Sequence, residues 1–275
     1  MNNPFRQQAY PNLGESFGIM GWILLASILV GMPIGFIQYF TPVTKVSESI
    51  FGLIGYTLPF AIVSFFIYKK MKTLDNNFSL KFNLPSIGIL LLLIPLTLAL
   101  SIVIEPFITV IPMPDFMKEL FESMMKNDIY SVIMVAVMAP IFEEIIFRGF
   151  ILNGLLKNYS PTKAILWSAT LFGIVHLNPW QFIGAFIIGA VIGWLYWKTN
   201  SIIPGMLIHF VNNFSASMVM IYADDANATT QQLFGGENSY YIAYTTSALI
   251  VITSFFFLKK YFEKKQTIKD KLTTA

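Results

Sequence analysis

Residues 142–149 read Phe-Glu-Glu-Ile-Ile-Phe-Arg-Gly, two carboxylates and a guanidinium inside an otherwise apolar stretch. Glu144 and Arg148 are four apart, so on a helix they share a face and can pair. Glu143 points about 100° away at 3.6 residues per turn, free to face another helix. Pro140, just upstream, removes a backbone donor and favours a kink there. The only two histidines, His176 and His209, also fall in apolar stretches. Phe172 precedes His176 by four and Asn213 follows His209 by four, so each pair is expected on one face of its own helix. Taken alone, the first helix fits equally a structural ion pair plus one neutralised acid. Two carboxylates, two imidazoles and an amide on three neighbouring helices instead point to one shared polar site.

A carboxylate stripped of water has its charged form disfavoured, which makes it a better proton acceptor near neutral pH. Together with a histidine, such a base can activate water for attack on a carbonyl. An imidazole and a carboxamide can then donate hydrogen bonds to the oxyanion. The same Glu/His/His/Asn set can alternatively ligate a metal, since imidazole and carboxylate suit zinc. Residue types alone leave both routes open. No cysteine nucleophile, serine–histidine or serine–lysine signature, or His-Glu-x-x-His zinc motif is present.

The elements that carry these groups are set by composition. Of 275 residues, 55 % are hydrophobic and only 12 % charged, and mean hydropathy is +0.64. A soluble domain carries about a quarter charged residues. A water-soluble enzyme and a disordered chain are therefore both excluded, leaving an all-α, polytopic integral membrane helical bundle. Zero cysteines exclude disulfides and thiolate metal sites. Crossing the hydrocarbon core takes about 20 apolar residues. The chain offers about eight such transmembrane helices, at 17–40, 49–68, 85–111, 129–153, 162–177, 181–198, 201–222 and 240–258. The fifth and sixth are short and separated only by Asn178-Pro179-Trp180, a tight hairpin or partly re-entrant pair. The first is too long for a signal-peptide core and reads as an anchor. No internal repeat is evident, which weighs against an inverted-repeat transporter.

Basic residues set the orientation. Arg6, Lys69, Lys70, Lys72, Lys81, Lys157, Lys163, Lys198 and the six lysines of 259–275 fall on one side. Only Lys45, Lys118 and Lys126 fall on the other, with most of the acids. Both termini are expected in the cytoplasm of a bacterial cell, with the chain a multi-pass plasma-membrane protein and its basic tail near anionic lipid. Nucleic acid is not an expected partner at a net charge of +3. Residues 115–128 form an amphipathic unit expected to lie flat in the interface. Glu105, beside Pro106, reads as a structural acid. That leaves Glu143, Glu144 and Arg148 as intramembrane charges, each by default a functional-site residue.

Glu143-Glu144…Arg148, Phe172…His176 and His209…Asn213, in order on predicted spans, resemble the CAAX-protease and bacteriocin-processing (CPBP, or Abi) family of intramembrane proteases. Its pattern is Glu-Glu-x-x-x-Arg, Phe-x-x-x-His and His-x-x-x-Asn. Every fixed position is matched, over about a quarter of the chain. Eukaryotic relatives remove the last three residues of prenylated CAAX proteins. The resemblance implies a single membrane domain over 1–275 with its catalytic core at 139–213. It implies that Glu143 and His176 activate the hydrolytic water and that His209 and Asn213 form an oxyanion site. Glu144, paired with Arg148, and Phe172 support the motif. It implies no cofactor in the favoured metal-free mechanism; in the metalloprotease reading, Glu143, His176 and His209 would hold a divalent metal such as zinc.

The expected activity is an intramembrane endopeptidase acting on a membrane-anchored or lipidated peptide. The alternatives are a non-catalytic bacteriocin-immunity or scaffold protein of the same fold, and an ion-coupled transporter. One tension accompanies the spans: counted from Thr162, His176 lies near the outer end of its helix, whereas Glu143 is nearer the middle of its own.

Overall fold

The computed structural model describes residues 9–42, 44–118, 128–222 and 230–273. Most of the expected interfacial unit, 119–127, lies outside the described residues. All the regular structure described is helical. The principal helices are α1 (Leu13–Phe40), α2 (Lys45–Leu74), α3 (Ile87–Thr109), α4 (Ile129–Asn158), α5 (Pro161–Ile174), α6 (Pro179–Thr199), α7 (Ile203–Tyr222) and α8 (Glu237–Thr273).

Helices stand at all eight expected positions, but six of those described are long and apolar enough to cross a membrane: α1, α2, α3, α4, α6 and α8. The shortfall has two causes. α5 has 14 residues, a rise of about 21 Å against a core of about 30 Å. α7 has 20 residues, but His209, Asn212, Asn213, Ser215 and Ser217 dilute its apolar character. The expected boundary at Leu177 is also corrected. The α5 helix stops at Ile174, and Leu177 turns the chain with a left-handed φ of 56°. His176 therefore follows its helix rather than riding on it.

α4 is the axis of the bundle. Ile146, Phe147, Phe150, Ile151, Leu152 and Leu155 are fully buried against α2, α5 and α6. By contrast α1 turns Trp22, Leu29, Met32 and Phe36 outward, as expected of a helix solvated by lipid rather than water. α4 widens into π turns at Ile133–Met138 and Ile145–Leu152. In the first of these the amide of Ala139 reaches back five residues to the Met134 carbonyl. Continued by one residue, that register asks Pro140 to serve the Val135 carbonyl with an N–H that proline lacks. The orphaned acceptor takes a side-chain donor instead. Asn213 Nδ2 donates to the Val135 oxygen at 2.9 Å, pinning α7 to α4.

Candidate active site

The first motif lies midway along α4, and its two carboxylates have different surroundings. Glu144 Oε1 accepts from Arg148 Nη1 at 2.8 Å, the one-turn pair expected from their spacing. Both side chains are completely buried. The guanidinium also donates from Nη2 to the Gly189 carbonyl at 3.1 Å and lies 4.6 Å from the Phe172 ring centre. From α7, His209 Nδ1 donates to the same Glu144 oxygen at 3.3 Å. That carboxylate, paired with Arg148, can only accept, which places the ring proton on Nδ1.

The other imidazole nitrogen, Nε2, faces Glu143 Oε2 at 3.7 Å. This is close, but beyond hydrogen-bond distance. Glu143 Oε1 accepts from the Tyr56 hydroxyl of α2. Its Oε2 is buried with no hydrogen-bond partner among the described residues. The imidazole thus stands between two acids, hydrogen-bonded to one and facing the open oxygen of the other.

Glycines permit this crowding. A Cβ at Gly205 of α7 would lie 2.5 Å from Glu144 Oε2 and 2.6 Å from Ile192 Cγ2. At Gly189 of α6 it would come within 3.1 Å of the Phe172 ring and 3.3 Å of Arg148 Nη2. Only a residue without a side chain lets α6 and α7 approach the buried pair so closely.

Phe172 joins the motifs. Its ring meets His176 edge-on with centroids 5.2 Å apart, His209 at 5.5 Å and Phe147 at 5.0 Å. His176 is therefore brought beside the first motif across the Phe172 ring. His176 Nδ1 lies 2.8 Å from the Phe172 carbonyl. A carbonyl only accepts, so Nδ1 carries the proton and Nε2 keeps a free lone pair.

Asn213 lies at the edge. Its oxygen accepts from Asn212 Nδ2 at 3.1 Å, and Asn212's own oxygen accepts from Ser101 Oγ of α3 at 3.1 Å. Among the described residues, no hydrogen bond joins His176 or Asn213 to Glu143, Glu144, Arg148 or His209. The structure thus gathers Glu143, Glu144, Arg148, His209 and Phe172 directly, His176 through Phe172, and Asn213 through the shared helix α7.

No three His, Cys, Asp or Glu side chains among the described residues are arranged to hold a metal ion. The reason is visible at His209, whose ring separates the two carboxylates, while Glu144 Oε1 already serves Arg148. The steps considered below use only this chain's own side chains. Glu105 has a structural connection: it accepts from Thr230 Oγ1 at 2.8 Å and from the Tyr240 hydroxyl at 2.7 Å, tying α3 to α8. Sequence reading missed Tyr56, Gly189, Gly205, Asn212 and Ser101. Asn212, inside the third motif and next to Asn213, was the most nearly discoverable.

Fold and site together define a polytopic membrane protein with a buried glutamate–histidine centre between its helices. Residues 125–215, which hold all three motifs, match the family described as type II CAAX prenyl endopeptidase Rce1-like. CAAX prenyl protease 2 of Methanococcus maripaludis is 28% identical over 209 residues, covering 66% of this chain and 76% of that protein. The UPF0177 protein YxdF of Lactococcus lactis is 29% identical over 89 residues, 32% of this chain and 49% of that protein. No solved structure matches. The family match is thus to the segment 125–215, which carries the site, and the two relatives are similar to this chain at 28% and 29% identity.

Proposed function

We propose that the chain is an intramembrane endopeptidase that hydrolyses a peptide bond of a membrane-anchored, lipidated peptide, with Glu143 as general base. The observation that carries this reading is the open Glu143 Oε2, buried, unpartnered and 3.7 Å from the His209 imidazole. A carboxylate whose other oxygen is already held is a fixed proton acceptor. Water held between Glu143 Oε2 and the free Nε2 of His176 attacks the scissile carbonyl and passes one proton to the carboxylate. The oxyanion takes hydrogen bonds from the second amide hydrogen of Asn213 and from Nε2 of His209, which donates there only as the imidazolium, with its Nδ1–H still on Glu144. The proton on Glu143 then moves to the departing amine, and the products are a carboxylic acid and a free amine. Glu144 and Arg148 contribute a sealed charge pair that orients His209.

The lipidated substrate class is supported by the family and by the name of the Methanococcus relative, a prenyl protease. The lysines clustered beside 69–81, 157–163 and 259–271 support a plasma-membrane location with both termini in the cytoplasm.

The test is cleavage of a farnesylated, CAAX-terminated fluorogenic peptide by the purified protein in lipid nanodiscs. Glu143→Ala is expected to lower kcat by about 10²–10⁴, the usual contribution of a general base. A chelator such as EDTA is expected to leave the parent rate unchanged. Parent-like cleavage by Glu143→Ala overturns the glutamate assignment, and loss of activity to the chelator with recovery on zinc overturns the metal-free route. Parent protein inactive on every lipidated peptide, yet biologically protective in the cell, would instead be the scaffold or immunity role.

A further inference from the structure

The proposed general base is held from outside the three motifs. Glu143 Oε1 accepts the hydroxyl of Tyr56, a residue of α2 that lies outside the family match at 125–215. The Tyr56 ring is itself fixed. It stacks on Phe60 with centroids 4.9 Å apart and planes at 23°, and Phe60 is buried in the core that α2 shares with α4. The terminal torsion of a glutamate is soft and roughly two-fold. A carboxylate with neither oxygen held would turn about that bond and present either one to substrate. Glu143 has one oxygen held from α2, and the other is thereby turned toward His209 Nε2.

We infer that Tyr56 is a positioning residue for Glu143, selecting Oε2 as the oxygen that receives the proton from water. It acts through the carboxylate and has no substrate contact of its own. α2 thus belongs to the working site although none of the motifs lies on it. The inference rests on the proposed role of Glu143.

The experiment compares Tyr56→Phe, Glu143→Ala and the double variant in nanodiscs, with the same lipidated peptide. Tyr56→Phe removes only the hydroxyl and keeps the stack on Phe60. The expected result is a fall in kcat of about 10–100-fold, the scale of one hydrogen bond to a charged group, with KM within about twofold of the parent. The melting midpoint stays within a few degrees of the parent. In the Glu143→Ala background, Tyr56→Phe is expected to cause no further loss, because its effect runs through the missing carboxylate. Phe60→Leu, which loosens the stack but keeps the hydroxyl, is expected to lose less kcat than Tyr56→Phe.

An unchanged kcat in Tyr56→Phe beside an inactive Glu143→Ala overturns the inference and leaves the function standing. A loss that is fully additive in the double variant, or a Tyr56→Phe protein that does not fold, also overturns it, making the hydroxyl an independent or structural element. A Glu143→Ala protein with the parent rate overturns the function itself.

Discussion

Glu143 and Glu144 are consecutive on one helix, yet the two sides of α4 treat them oppositely. Toward α6 and α7, Glu144 shares one oxygen between Arg148 and His209, while the other is sealed against the backbone of Gly205 without a hydrogen-bond partner among the described residues. None of its side chain is open. Toward α2, Glu143 has a single donor, an unpartnered oxygen, and a tenth of its side-chain surface still accessible. An acid that is neutralised, packed and closed can stabilise but cannot exchange a proton with anything outside. An acid with one oxygen held, the other free and part of its surface still accessible can. Identical chemistry one residue apart is thus divided into a structural half and a reactive half by what the neighbouring helices present.

The sharpest way to break that division is Arg148→Met. Removing one partner of a buried pair strands the other charge, at a cost of about 3–5 kcal/mol. A large fall in apparent melting temperature, or failure to recover folded protein, is expected. Glu143→Gln, which keeps shape and can still accept from Tyr56, is expected to melt close to the parent while cleaving far more slowly. If the two variants exchanged these behaviours, the assignment of structural and reactive halves would be reversed.

A smaller perturbation probes the closed half sterically. In Gly205→Ala the new methyl would stand 2.5 Å from Glu144 Oε2 and 2.6 Å from Ile192 Cγ2, so α7 or those side chains must move. Overpacking of this kind costs about 1–3 kcal/mol. His209 rides on the same helix, so cleavage should fall with stability. Gly189→Ala, whose nearest neighbours would be 3.1–3.4 Å away, should be the milder change in both measurements.

How much of this could be read from the chain follows the range of the interactions. Intrahelical spacing is a local property, and it placed Glu144 on Arg148 and all eight helical segments near their observed positions. Hydropathy, too, is local, and it identified the membrane bundle. Its eight spans exceed the six described helices that are long and apolar enough to cross, because a window scores a short packed helix such as α5 much as it scores a longer one. Periodicity put His176 on a helix that in fact ends two residues earlier, because helix termination there depends on the turn through Leu177 and Asn178 before Pro179. Tyr56 and Gly205 reach the acids across 87 and 61 positions of sequence respectively, so no local pattern announces them. The link from Pro140 through the Val135 carbonyl to Asn213 needed the π register, which the proline alone does not specify.

A third carboxylate, at the head of the same helix, extends the comparison to the surface. Asp128 caps α4: its Oδ1 accepts from the amides of Tyr130 and Ser131, and its Oδ2 from the hydroxyls of Ser49 and Ser131. Partial burial pushes this carboxyl up, but the hydrogen bonds outweigh that and hold it below the usual aspartate range. Unlike either glutamate it has donors on both oxygens, and it has no part in the cluster. Asp128→Ala should therefore cost stability alone, about 1 kcal/mol for a lost helix cap, with kcat per folded molecule unchanged. The pH dependence has a definite sign. A carboxyl lowered on folding contributes fully above its unfolded value near 4, and loses that contribution as pH falls through the lowered folded value. The gap in melting temperature between parent and Asp128→Ala should hold at neutral pH and shrink below about pH 4. Asp128→Asn keeps a good capping oxygen without the titrating charge. It should retain most of the stability at pH 7 and, at this position, lose none of it on acidification. A gap that instead widened in acid would show that the Ser49 and Ser131 hydroxyls do not stabilise the ionised form of Asp128.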